Sequence, residues 1–285
     1  MATLAIPLYG AARVETPENW RHNVVVATDG RPPSDSALIA AHVLAGPSTF
    51  GVVSVLAEAA SKDRASGWPH VPETPRAHRD LVEAQVRRVL GDSADVWIEV
   101  RRGYPPAVLA SFAESHAASL LVAGIGRPDV LDRLLGDEST LRLARMTQTP
   151  LYAVAANRAT PPRRIVVATD FSPTSARTAR LAVSLAAPDA EILLAHVCTP
   201  AGRLVPEGSL RRHAEQLQDG FCGRVTAIEL RGDAASELLG LAKSRDADAI
   251  AVGAHGQGEA LRCTMGPVAT RVVRCAPCSI ILAPA

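Results

Sequence analysis

AIAVGAHGQGEALRCTMGPVATRVV, residues Ala249–Val273, reads as an apolar strand, a glycine loop and the start of a helix. Its glycines are Gly253, Gly256 and Gly266, with two residues in the first gap and nine in the second. An altered version stands at Ser119–Ala144, SLLVAGIGRPDVLDRLLGDESTLRLA. There the glycines are Gly124, Gly126 and Gly136, and the second gap is again nine residues. The same loop carried twice implies two copies of one domain.

Working outward from these loops, short apolar runs alternate with helical patterns. In the first copy the pattern predicts strands over Asn23–Thr28, Phe50–Leu56, Asp95–Val100, Leu120–Ala123 and Leu151–Val154. Helices are predicted over Ala37–Leu44, Arg76–Leu90, Ala107–His116 and from Asp137. AANRATPPRR, Ala155–Arg164, is a polar, proline-containing linker, after which the series restarts. Its strands are Ile165–Thr169, Glu191–Val197, Val225–Leu230, Ala249–Val252 and Ser279–Leu282. Its helices open at Pro173 behind an N-cap Ser172, then cover Ser209–Gln218, Ala234–Lys243 and the residues from Gly266 onward. The copies are offset by 141 residues at the first strand and 130 at the last loop, because the second connection of copy one is longer. Continuous apolar strands alternating with helices imply open parallel sheets covered on both faces. The expected division is an N-terminal extension over 1–20, domain one over 21–155, a linker over 156–163 and domain two over 164–285.

Composition narrows the function classes. Hydrophobic residues make up 47% of the 285-residue chain and aromatics only 4%, so the cores are built from Ala, Val, Leu and Ile. Small residues of that kind suit close helix-on-sheet packing. A formal net charge of +1 and the lack of a long basic run argue against nucleic acid as a partner. No apolar run approaches the roughly 20 residues that span a bilayer, and the start of the chain lacks a basic leader region, so no membrane partner is expected. Five cysteines without framework spacing fit a reduced, cytoplasmic setting.

VVVATDG and IVVATDF at the heads of the copies, with VGAHG, the nine-residue gap and VATRVVRCAPCSIIL at the tail, resemble the universal stress protein family. The resemblance covers almost the whole chain as a tandem pair. It implies two flavodoxin-like, Rossmann-like α/β domains, each a five-stranded parallel sheet of order 3-2-1-4-5 with helices on both faces. It also implies pairing of the two domains through their last strands, with a homodimer as a further level. The ligand it implies is an adenine nucleotide, ATP or AMP, with Mg beside a triphosphate.

Carried onto this sequence, the resemblance assigns a nucleotide site in copy two to Ala168, Thr169, Asp170, Val197, Gly253, His255, Gly256, Gly266, Pro267 and Val268. Glycines let backbone approach phosphate oxygens, and the following helix offers unpaired N–H groups at its positive end. The family places Ser or Thr after the last glycine. This chain has Pro267, which has neither that hydroxyl nor an N–H and is a good first helical residue. A weaker second site falls on Ala27, Asp29, Gly124, Gly126, Arg127 and Gly136. Its first gap is one residue shorter, and Asp137 replaces the hydroxyl residue, where it either caps a helix or fills the anion site itself. Asp29 and Asp170 either bind ligand or hold the strand-to-helix turn through side-chain-to-backbone bonds.

The remaining chemistry-bearing residues form no recognised centre. Cys275-Ala-Pro-Cys278 lies between a helix and a strand, whereas redox CxxC pairs open helices, so packing is expected. Cys198, Cys222 and Cys263 are expected to be packing thiols, and His196 a satisfied core or edge histidine. His42, His116 and His213 lie on helix patterns without partners at ligand spacing. The expected function is nucleotide binding in a stress response, as sensor or regulator, without a catalytic residue or metal site of its own. The alternatives are a nucleotide-independent interaction scaffold and a weak ATPase, the latter without a P-loop lysine.

Overall fold

The computed structural model describes residues 23–57, 74–92, 94–125, 137–156, 158, 160–198, 206–256 and 265–284. The extension 1–20, Gly126, Arg127, Gly136 and Cys263 lie outside the described residues. The chain divides into two compact units between Asn157 and Arg158.

The first unit contains β1 (Val24–Ala27), α1 (Asp35–Ala45), β2 (Phe50–Ala57), α2 (Pro75–Leu90), β3 (Val96–Gly103), α3 (Pro105–Ser115), β4 (Leu120–Ile125), α4 (Asp137–Met146) and β5 (Leu151–Ala155). All its strands pair in parallel, in the order β3-β2-β1-β4-β5. Val25 stands opposite Gly51 on one side and Leu121 on the other. All four β1 residues are buried, as befits the central strand of a sheet covered on both faces. A 3-10 turn over Pro32–Ser34 precedes α1, because consecutive prolines cannot donate the first helical bonds. α1 packs against β1, β4, β5 and α2, while α3 packs against β2, β3 and α4. Right-handed crossovers place such pairs on opposite faces.

The second unit repeats the plan with β6 (Arg164–Ala168), α5 (Pro173–Leu185), β7 (Glu191–Cys198), α6 (Ser209–Gln218), β8 (Arg224–Arg231), α7 (Ala234–Ser244), β9 (Ala249–Gly253), α8 (Pro267–Cys275) and β10 (Ser279–Ala283). Its parallel order is β8-β7-β6-β9-β10, with Ile165 opposite Ile192 and Ala249. Both sheets therefore have the 3-2-1-4-5 order, with the strand order reversing between the first and fourth strands.

The cores bear out the reading from composition. α1 buries Ala37, Ala40, Ala41 and Ala45 around Leu38 and Leu44, and α5 buries Ala176, Ala179 and Ala182 around Leu185. Ser172 caps α5 as expected, its Oγ accepting from Ser175 N–H at 3.1 Å. Element ends differ from the sequence expectation by up to three residues, the most at β3, which runs on from Val100 to Gly103. Thr169, expected to end β6, lies just beyond it. Among the described residues no helix is long and apolar enough to cross a membrane.

Candidate functional site

In open parallel sheets ligands bind beyond the carboxyl ends of the strands, where the strand order reverses. In the second unit that crevice lies between the ends of β6 and β9. Ala168 ends β6, Gly253 ends β9, Val197 lies near the end of β7, and Pro267 opens α8. Asp170 follows β6 and accepts a hydrogen bond from Ser172 N–H at 2.9 Å, so it does hold the turn into α5. Its other oxygen lies against Gly256, where an added Cβ would come within 3.0 Å. Gly253 backs onto the first turns of α5, and a Cβ there would stand 2.8 Å from Thr174 Cγ2 and 3.2 Å from the His255 carbonyl.

Neither Gly253 nor Gly256 has a positive φ. These glycines are required by close approach within the protein, not by a left-handed backbone. Gly253→Ala is accordingly expected to lower the stability of the second domain by about 1–3 kcal/mol. Chemical denaturation checks this, and an unchanged midpoint would show that Thr174 yields freely.

Two backbone bonds close the β9 loop. Ala254 N–H donates to Ala283 O at 2.9 Å, and Gly266 N–H donates to Ala254 O at 2.8 Å. They set the start of α8 beside the end of β9. Between them sits His255, whose two ring nitrogens are both buried without a hydrogen-bond partner. Unmade bonds of this kind cost about 1–3 kcal/mol each, so the arrangement calls for a reason. On the other flank, Thr169 Oγ1 accepts from Phe171 N–H at 3.2 Å, and His196 Nδ1–H donates to Thr169 O at 2.9 Å, which satisfies His196 as expected. His213 on α6 is buried, with Nδ1 3.4 Å from Thr169 Oγ1. Burial, and then the Arg180 guanidinium, push its pKa down to about 4. Phe171 adopts the left-handed region at φ 63°, with its ring tilted against His196 at 4.8 Å.

Among the described residues, the matching crevice of the first unit is lined by side chains that bond one another. Thr28 Oγ1 donates to Gln85 Oε1 at 2.6 Å, and the Gln85 amide reaches Arg31 O at 2.7 Å, Asp35 Oδ1 at 2.8 Å and Ser34 Oγ at 3.0 Å. Asp29 accepts from Arg31 N–H at 3.1 Å and faces the Arg31 guanidinium at 3.4 Å. Burial raises the Asp29 pKa against the opposing pull of these partners. Leu81 of α2 fills the space over Gly30 (φ 84°), 2.7 Å from where a Cβ would be. Gly124 packs on the 3-10 turn, its Cβ position 3.3 Å from Ser34 Cα. Ser54 Oγ donates to Thr28 O at 2.6 Å, so His78 Nε2 must donate to Ser54 Oγ at 2.8 Å, leaving Nδ1 as a buried acceptor without a partner. The Ser54 proton is thus committed to a carbonyl, and this serine–histidine pair is not a nucleophile. Ala27 ends β1 at the same crevice, and the side chain of Asp137 lies outside the described residues.

The sequence model of the universal stress protein family matches twice, over residues 21–155 and 161–284. The chain belongs to the universal stress protein family. Solved structures agree on the fold of this family member. A universal stress protein from Archaeoglobus fulgidus DSM 4304 is 17% identical, with a TM-score of 0.60 over 93% of this chain and 96% of that one. A putative universal stress protein from Pseudomonas aeruginosa UCBPP-PA14 is 14% identical, with a TM-score of 0.62 over 93% of this chain and 95% of that one. No curated protein matches the chain.

Gln85 and His78 escaped the sequence reading of this stress protein, and His213, read there as a helix histidine without a partner at ligand spacing, was not tied to Thr169. Their partners Thr28, Ser54 and Thr169 lie 57, 24 and 44 residues away, so no local spacing connects them. The cysteines also depart in part from expectation. Cys278 is buried, and that burial pushes its pKa up to about 12, but Cys222 and Cys275 are exposed and do not pack. Among the described residues no three His, Cys, Asp or Glu side chains gather as metal ligands.

Proposed function

We propose that this stress protein binds an adenine nucleotide in the crevice of its second domain, as a sensor or regulator without turnover. The observation that carries the reading is His255. It stands in the β9 loop between Gly253 and Gly256 in sequence, with both ring nitrogens buried and without a hydrogen-bond partner, and a nucleotide's ribose and phosphate oxygens supply the missing partners. Asp170, against Gly256, offers carboxylate acceptors toward a ribose or an adenine amino group. In the first domain Gln85 ties Thr28 to the turn after β1, and the expected stoichiometry is one nucleotide per chain. Binding then acts by mass action, stabilising whichever conformation or assembly holds the nucleotide.

A second reading, a scaffold that binds no nucleotide, draws on one observation. The start of α8 lacks the N–H of Pro267, and the Gly266 N–H is already bonded within the loop. Calorimetry separates the two. Titration of AMP, ADP and ATP is expected to give one site per chain, with affinity reduced at least about tenfold in Asp170→Ala. Absence of heat and of any melting shift with all three nucleotides would leave only the scaffold. Phosphate release from ATP above that of Asp170→Ala would replace sensing by hydrolysis.

A further inference from the structure

We propose that Asp29 and His78 form a proton-sensing pair in the first domain: one proton taken up between Asp29 Oδ2 and His78 Nδ1 draws the Asp29 carboxylate away from Arg31. Both atoms are buried acceptors without a hydrogen bond. His78 stands in the first turn of α2 and is 4% exposed. Its Nε2–H goes to Ser54 Oγ at 2.8 Å, because the Ser54 proton is committed to Thr28 O at 2.6 Å. That fixes the tautomer and leaves Nδ1 bare. Asp29 follows Thr28 in the chain, so the two acceptors converge on the same residue. Asp29 Oδ1 accepts from Arg31 N–H at 3.1 Å, while Oδ2 meets Arg31 Nε only as an ion pair at 3.4 Å.

Two acceptors cannot bond each other, and burying both unmade bonds is unfavourable. A single proton resolves both. On Nδ1 it makes an imidazolium that donates to Ser54 and to the carboxylate; on Oδ2 it makes a carboxylic acid that donates to Nδ1. Either placement weakens the hold of Arg31 on Oδ2. The electrostatics run the same way. Burial pushes the Asp29 pKa up from 3.8 and the His78 pKa down from 6.5, toward each other. The charged groups acting on His78 are Asp29, which favours its protonated form, and Arg31, which opposes it. Ser54 is what β2 brings to the ring, and Asp35 of α1 is engaged by Gln85 and Arg88. Groups drawn together in this way titrate as a pair. The sign follows from the unfolded chain. As pH falls below 6.5 an unfolded His78 binds its proton before the folded pair does, so the first domain loses stability until the shared proton enters.

The test is an NMR titration of the full chain from about pH 7.5 to about pH 4, reading the His78 ring nitrogens, the Asp29 carboxyl carbon and the Arg31 Nε–H. All three are expected to move at one midpoint. In Asp29→Asn the His78 midpoint is expected to fall, because the charge that favours its protonated form is gone, and Arg31 should no longer respond there. His78→Gln keeps a donor for Ser54 and should also silence the Arg31 response, so a folding failure of one variant does not remove the test. Separate midpoints for Asp29 and His78, or a His78 midpoint unmoved in Asp29→Asn, overturn the pairing. A common midpoint with an unresponsive Arg31, or an Arg31 response that persists in His78→Gln, overturns the exchange of partners.

Discussion

His213→Gln is expected to abolish most of the acid sensitivity of the second domain. In the folded chain His213 is buried against Thr169, the Phe171 ring and Arg180, and its pKa is pushed down to about 4. In the unfolded chain the same side chain titrates near about 6.5. Between these values the unfolded state binds the proton and the folded state does not, so stability rises with pH. The neutral histidine's contribution is complete above the unfolded pKa and is lost as pH falls toward 4. The full difference is about 3 kcal/mol. Glutamine should be tolerated, because Gln85 reaches Thr28 in the first domain from the corresponding helix. Hydrogen exchange of α6 and β6 amides at pH 7.5 and 4.5 measures the effect. A pH slope that is the same in wild type and variant would mean that His213 does not carry it.

Gln85→Ala is expected to destabilise the first domain by about 2–4 kcal/mol. Gln85 is 2% exposed, and its amide reaches Thr28, Arg31, Ser34 and Asp35. Truncation removes the amide's bonds to Thr28, Arg31, Ser34 and Asp35 at once and opens space beneath α2. Chemical denaturation should register the loss, while nucleotide affinity in the second domain should stay within about twofold, since Gln85 belongs to the other unit. A loss below about 1 kcal/mol would mean that water enters and restores the bonds.

These two positions mark the limit of what the sequence makes legible. The repeat and the alanine-rich helix faces follow from local patterns, the strand order came with the family resemblance, and both domains show all three. The turn-holding role of Asp170 was legible for the same reason, because its partner Ser172 is two residues away. What could not be read was set by contacts distant in sequence. Leu81 and Gln85 of α2 pack on the turn after β1 in the first domain, and the second carries Phe171, His196 and His213 in the corresponding layer. Ser54 and His196 both bond the carbonyl of the threonine after the first strand, yet one is small and the other large. The volume is made up by His78 on α2 in the first domain. Such an exchange between strand and helix is visible only once both are packed. The capture of Gly266 N–H by Ala254 is likewise a backbone event, and nothing in the residue types announces it.

The most direct measurement is a crystal structure of the full chain grown with excess AMP. One nucleotide per chain is expected, in the second domain, with a ribose or phosphate oxygen within hydrogen-bond distance of His255 and the phosphate at the start of α8. An unliganded crevice at saturating AMP, or a nucleotide seated in the first domain at Asp29, would contradict it.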